Sequence, residues 1–294
     1  MSEKIRKKPF PSAQEDLKAA ELFVESPQTL SPSYRLAYMD RDFLVRDELR
    51  PIRLQLELMK PEIMFEEHGI EATVVVFGST RIPDPAIAKK VMDEAFKEVE
   101  KDPQDPAAAQ KLKIAARLVE KSSYYEEARR LAGIISEHCN NNEMCKIFVI
   151  TSGGPGIMEA ANRGAFEKNA KSIGLNIVLP HEQRPNNYIT PELCFQFHYF
   201  AIRKMHFLMR ARALVAFPGG FGTMDELFES LTLIQTKKIK PIPVLLFGKE
   251  FWEKAVGFDF LVKEGVISSE DLNIFQYVET AEEAWEIIKN ALIF

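Results

Sequence analysis

The segment best equipped for chemistry is Pro218-Gly219-Gly220-Phe221-Gly222-Thr223-Met224-Asp225-Glu226. It follows a short apolar run at 213–217 and precedes a helix-patterned run at 227–236. A glycine-rich turn between a strand and a helix lets backbone N–H groups converge on an anion, and the helix N-terminus adds a favourable dipole. Gly219, Gly220 and Gly222 are therefore expected to cradle a phosphate, with Thr223 donating its hydroxyl to one of the oxygens. Glu226 is expected in the first helical turn, pointing an acid at whatever carries that phosphate. A phosphate cradle with a carboxylate about one turn further on suggests chemistry on a phosphorylated small molecule.

A second turn of the same kind is Gly153-Gly154-Pro155-Gly156, with Glu159 just beyond it. It lacks the Lys-Ser/Thr ending that binds a triphosphate with magnesium, and it lacks the glycine spacing of a dinucleotide site. Two such turns at the C-terminal ends of strands are a more specific signal than either alone, because open α/β sheets bind ligands there. Arg203, followed by Lys204, lies near the start of a helix-patterned stretch, and its guanidinium can fork onto a phosphate or carboxylate. Glu159 and Glu226 each fit a helix-capping acid, or one could hold ribose hydroxyls while the other faces an anomeric carbon. Cleavage of an N-glycosidic bond passes through an oxocarbenium-like state, which a facing carboxylate stabilises while orienting water.

The elements that must hold these residues read as alternating strands and helices. Continuous apolar runs predict strands at 72–77, 147–150, 172–179, 193–197, 213–217, 242–247 and 274–278. Helix patterns fall at 157–168, 201–212, 227–236, 250–264 and 281–292. Such alternation implies an α/β fold, a doubly wound parallel sheet covered on both faces. The first strand runs into Gly78-Ser79-Thr80-Arg81, a small-residue turn that brings Ser79 near the ligand end of the sheet. Two additions flank this pattern: a charged, helical N-terminal extension at 1–70 and a helical insertion at about 84–144, leaving 71–294 as the main domain. In the extension, Pro51 and Pro61 predict two or three short helices rather than one long one.

Bulk properties narrow the classes of function. At 294 residues and 46% hydrophobic, the chain can bury a sizeable core. A net charge of −5 argues against a nucleic-acid surface, and no apolar run reaches the length of a membrane span. Lys4, Arg6, Lys7 and Lys8 have no apolar stretch behind them, so the N-terminus reads as a solvated tail rather than a signal peptide. The three cysteines, Cys139, Cys145 and Cys194, lack zinc-site spacing and read as reduced thiols of a cytoplasmic protein. His68, His138, His181, His198 and His206 form no metal-binding motif, so no metal is expected, and His198 and His206 read as packing or hydrogen-bonding residues.

The two glycine motifs, Gly153-Gly154-Pro155-Gly156-Ile157-Met158-Glu159-Ala160 and Pro218 to Glu226, closely resemble the Lonely Guy (LOG) family, long mislabelled as lysine decarboxylases. The resemblance covers about 71–294 and includes Phe77-Gly78-Ser79, Gly174-Leu175-Asn176-Ile177 and Glu182-Gln183. It implies a Rossmann-like hydrolase, a homodimer or larger homo-oligomer, that splits nucleoside 5′-monophosphates into free base and ribose 5-phosphate; the alternative is a non-enzymatic nucleotide-binding or carrier protein of the same fold, which would need the phosphate cradle but not the acid. Some members release cytokinins and others act on AMP and similar purine nucleotides. It further implies Arg203 and Glu226 as catalytic, with the phosphate on Gly219, Gly220, Gly222 and Thr223. Gly153, Gly154, Gly156 and Glu159 would hold ribose or line the base side, and Ser79 and Lys204 would also bind the substrate or its phosphate. No cofactor is implied. A decarboxylase would need pyridoxal phosphate on an activated lysine, and neither Lys204 nor the pair Lys237-Lys238 has a recognisable setting for one. The additions at 1–70 and 84–144 are absent from the short members.

Overall fold

A computed structural model describes residues 10–22, 24–142, 145–180 and 184–292. The basic tail at 1–9, His181, and the pair Glu182-Gln183 of the LOG-like segments lie outside the described residues. The chain divides into two compact units, 1–56 and 57–294. In the first are two short helices, α1 (Ala13–Ala20) and α2 (Arg41–Leu44), capped by Ser12 and Asp40, whose side chains accept from backbone N–H groups of the first turn. Helix α3 (Arg50–Glu67) runs across the boundary.

The second unit is built on seven strands: β1 (Ala72–Phe77), β2 (Ile147–Thr151), β3 (Ser172–Ile177), β4 (Cys194–Phe197), β5 (Ala211–Ala216), β6 (Val244–Phe247) and β7 (Phe275–Val278). All neighbours pair in parallel, in the order β4-β3-β2-β1-β5-β6-β7. Between β1 and β2 come α4 (Pro85–Lys101), α5 (Pro106–Lys121) and α6 (Ser123–Asn140). Helices α7 (Ile157–Glu167), α8 (Phe200–Met209) and α9 (Phe221–Gln235) follow β2, β4 and β5. After β6 come α10 (Lys249–Ala255) and α11 (Phe258–Lys263), and α12 (Ala281–Ala291) ends the fold. This is a Rossmann-like, doubly wound α/β architecture.

The two faces of the sheet carry separate cores, because successive side chains of a strand point to opposite sides. Val74 and Val76 pack with Tyr125, Ala128 and Leu131 of α6, Ala160 of α7 and Trp285 of α12. Val75 and Phe77 pack on the other face with Phe65 of α3, Phe207 of α8, Leu227 of α9 and Trp252 of α10. The chain order reverses at β1 and β5: the loop after β1 leads to the first layer and the loop after β5 leads to the second. A crevice opens between diverging loops at such a switch point.

Three local readings change. Pro61 lies inside α3, which runs unbroken for 18 residues. A proline cannot donate to the carbonyl four residues back, here that of Glu57, and His206 Nε2 lies 3.2 Å from that oxygen in its place. Tertiary contact thus satisfies the group the proline leaves open, while Pro51 sits in the first turn, where a missing N–H costs little. The single helix expected at 250–264 is two, α10 and α11, separated by Val256 and Gly257. The three cysteines were expected to be reduced, but Cys139, near the end of α6, and Cys145, just before β2, are joined in a disulfide. Their Cα atoms come within 4.8 Å, inside the reach of a bridge, and Cys194 is free.

Candidate functional site

The turns after β1, β2 and β5 are stitched to one another through backbone groups. Ser79 donates its N–H to Pro218 O at 3.0 Å, and Ile157 donates to Ser79 O at 3.2 Å. At this junction, above the C-terminal ends of β1 and β5, lies a cavity of about 1240 Å³. Its walls include Ser79, Gly154, Arg203, Gly219, Gly220, Gly222, Thr223 and Glu226 from among the expected site residues. Gly153, Gly156, Glu159 and Lys204 are not in its lining.

The turn after β5 feeds α9 directly. The helix begins at Phe221, with Gly220 at its N-cap in an extended conformation and no side chain capping it. Met224 is the first residue to donate back into the turn, to Gly220 O at 3.0 Å. Among the described residues, the N–H groups of Phe221, Gly222 and Thr223 meet no acceptor, so three donors and the positive end of the helix face the cavity. A Cβ on Gly220 or Gly222 would meet nothing within 4 Å, whereas one on Gly219 would fall 2.1 Å from Thr223 Oγ1. Because α9 starts at Phe221, Glu226 lies in its second turn rather than the expected first.

Glu226 is reached from the neighbouring helix on the same face. Arg203 of α8 places Nη2 3.3 Å from Glu226 Oε1, with side chains only 9% and 7% exposed. The guanidinium lies 4.8 Å from the ring centre of Phe200 and 5.6 Å from that of Phe207, which stand three residues before and four after it. Its Nε is buried and has no hydrogen-bond partner among the described residues. Burial pushes the Glu226 carboxyl up to about 7, although Arg203 and Lys204 pull it down. Burial also lowers the Arg203 pKa, against the pull of Glu226 in the other direction.

Helix α3 holds α8 in place. Glu57 accepts from the N–H groups of His198 at 2.9 Å and Tyr199 at 3.1 Å, tying down the residues that lead into α8. At the other end, Arg210 pairs with Glu62 and donates to Ile70 O at 3.3 Å. Arg210 is thus an anchor for α3, and His206 is a buried hydrogen-bonding residue.

The turn after β2 is closed on itself. Gly153 and Gly156 have φ of 74° and 72°, and a Cβ there would lie 2.5 Å from Asn176 Oδ1 and 2.4 Å from Ser79 O. Asn186 Nδ2 donates to Gly153 O and Gly154 O, each at 3.2 Å, and to Asn162 Oδ1 at 2.9 Å. Gly154 alone of these three glycines reaches the cavity wall. Glu159 turns to the other face of the sheet, where Tyr125 donates to it at 3.1 Å. Lys204 is engaged by Asp225 and Glu229.

Sequence reasoning overlooked Asn176, Phe200, Phe228 and Phe251 as cavity residues. Asn176 is a polar residue between the apolar Leu175 and Ile177, and Phe200 and Phe207 bracket Arg203 at helical spacing. Those signals were present. Nothing in the sequence marks Phe251, which arrives from α10 through the order of the sheet.

A family model described as "Possible lysine decarboxylase" matches residues 158–288, which hold Arg203 and the whole 218–226 motif. No curated protein matches the chain. Among solved structures, the molybdenum cofactor carrier protein of Chlamydomonas reinhardtii is 15% identical, with 76% of this chain and 99% of that one covered, at a TM-score of 0.42. A structural-genomics target designated TM1055 is 20% identical, with 74% and 99% covered, at a TM-score of 0.44. The matched region holds Arg203 and the whole 218–226 motif, one of the two motifs by which the chain resembles the LOG family.

Proposed function

We propose that this protein hydrolyses the N-glycosidic bond of purine nucleoside 5′-monophosphates, AMP or a related nucleotide, releasing free base and ribose 5-phosphate. The resemblance to the LOG family, with the family-model match over 158–288, fits a nucleotide-related role. The observation that carries the finer reading is the buried carboxylate of Glu226 sharing one cavity with the unpaired N–H groups that open its own helix. A phosphate needs those donors; it does not need the acid.

In this reading the 5′-phosphate rests on the turn at Gly219, Gly220 and Gly222, on the first N–H groups of α9 and on Thr223. Arg203 orients the substrate from the cavity wall while its Nη2 stays with Glu226. As the C1′–N bond breaks, positive charge develops on the sugar, and the carboxylate of Glu226 faces it and orients a water. The water oxygen bonds to C1′, and the base leaves with the bonding pair and takes up a proton. Gly154 and Asn176 line the opposite wall for ribose or base, and Gly153 and Gly156 let Asn176 and the Ser79 backbone pack close behind that wall.

A decarboxylase would hold pyridoxal phosphate on a lysine amine. Among the described residues no lysine lines the cavity, and Lys204 is occupied by two carboxylates, so the residues present do not fit that group. The test is incubation with AMP, GMP, IMP, CMP and UMP, followed by chromatography of free base and assay of ribose 5-phosphate. Both products should appear and vanish in Glu226→Gln. Nucleotide binding without any release would overturn the hydrolase in favour of a nucleotide carrier.

A further inference from the structure

Lys204 stands beside Arg203 in α8 but outside the cavity lining. Its side chain is 16% exposed, and its Nζ lies 2.8 Å from Asp225 Oδ2 and 3.1 Å from Glu229 Oε2. Those two acids flank Glu226 in α9, one residue before it and three after, so three carboxylates share a single turn of helix. Two cations of α8 answer them: Arg203 takes Glu226 and Lys204 takes the other two. Glu229 Oε2 is buried without a hydrogen-bond partner of good geometry, so the ammonium charge nearby is what compensates it.

Like charges one turn apart raise one another's affinity for protons, and a cation between them reverses the effect. Without Lys204, Asp225 and Glu229 would compete for the guanidinium of Arg203 and would favour the protonated form of Glu226. We propose that Lys204 is a positioning residue: by neutralising Asp225 and Glu229 it keeps Glu226 available as a carboxylate and reserves Arg203 for Glu226 and the bound anion. This rests on the reading of Glu226 as the reacting carboxylate. The charged groups acting on Glu226 are Arg203 and Lys204 from α8 and Asp225 and Glu229 from α9, and the directions of their effects agree, the first two lowering its pKa and the last two raising it.

The test is the titration of Glu226 in the full chain, followed through its side-chain carboxyl carbon by NMR and assigned by the loss of that signal in Glu226→Gln. Removing one nearby ammonium charge is worth about one pH unit in a partly buried site. Lys204→Met should therefore raise the Glu226 midpoint by about that amount, and Lys204→Arg should leave it near the wild-type value. The triple variant Lys204→Met, Asp225→Asn, Glu229→Gln should bring it back down. An unmoved midpoint in a folded Lys204→Met protein, or an equal rise in Lys204→Arg, overturns the proposal. Should Lys204→Met fail to fold, Asp225→Asn decides instead, since that side chain is 56% exposed: its removal must lower the midpoint, and no change overturns the idea. In an active protein the acid limb of kcat/KM should move with the titration while KM stays within about twofold, because Lys204 does not touch the cavity. A wild-type protein that releases no base overturns the hydrolase, whereas the NMR titration still decides the coupling.

Discussion

The turns after β2 and β5 look alike as sequence, Gly-Gly-Pro-Gly against Pro-Gly-Gly-Phe-Gly, and both open helices at the ligand end of the same sheet. Their glycines answer different needs. At Gly153 and Gly156 the missing Cβ leaves room for protein, namely Asn176 and the backbone of Ser79, and φ is positive at both. At Gly220 and Gly222 it leaves open space above three unpaired N–H groups. The first turn is a joint within the scaffold and the second is a cradle. A glycine-rich turn therefore announces a close approach, but the approaching group can be the chain itself.

The largest effect should come from the carboxylate behind the cradle. Glu226→Gln should cut base release by roughly a thousandfold, the scale of a lost transition-state contact, with nucleotide affinity nearly kept. Steady-state kinetics and calorimetric binding measure the two separately, and a variant with wild-type turnover would remove Glu226 from the chemistry.

The joint should break on stability instead. Gly156→Ala forces a side chain into positive φ and against Ser79 O, and should cost about 3 kcal/mol in a urea titration. Gly222→Ala is the matched opposite: unfolding within about 0.5 kcal/mol of wild type, yet nucleotide binding weakened about tenfold by the methyl in the anion's place. Equal behaviour of the two alanine variants would erase the distinction between joint and cradle.

The smallest effects follow pH. Activity should rise as Glu226 loses its proton, half-maximal near pH 7, where burial places the carboxyl. The sign for stability is opposite. A folded pKa raised above the unfolded 4.5 means that the folded state holds the extra proton, so the contribution is full below about 4.5 and lost as pH rises through about 7. Urea midpoints of wild type in acidic and neutral buffer should show that decline, and Glu226→Gln should flatten it.

The amino-acid sequence by itself determined a great deal here. Runs such as Thr73-Val74-Val75-Val76 are buried on both faces and can only be parallel interior strands, so the sheet was legible. The motif at 218–226 was legible because a phosphate cradle needs glycine and a helix start in adjacent positions, a purely local requirement. Only the tertiary structure decided which side chains meet. Arg203 and Glu226 lie 23 residues apart and pair because β4, β5 and their helices place α8 and α9 on one face of the sheet. Glu159, local to its own glycine turn, is drawn instead to Tyr125 on the opposite face, since α7 and α6 pack there. The same distance effect lets α3 continue through Pro61, whose missing bond is supplied by His206 from a helix 149 residues away from Glu57. Periodicity reports which side of an element is buried; what it is buried against is set by strand order, which no local pattern encodes.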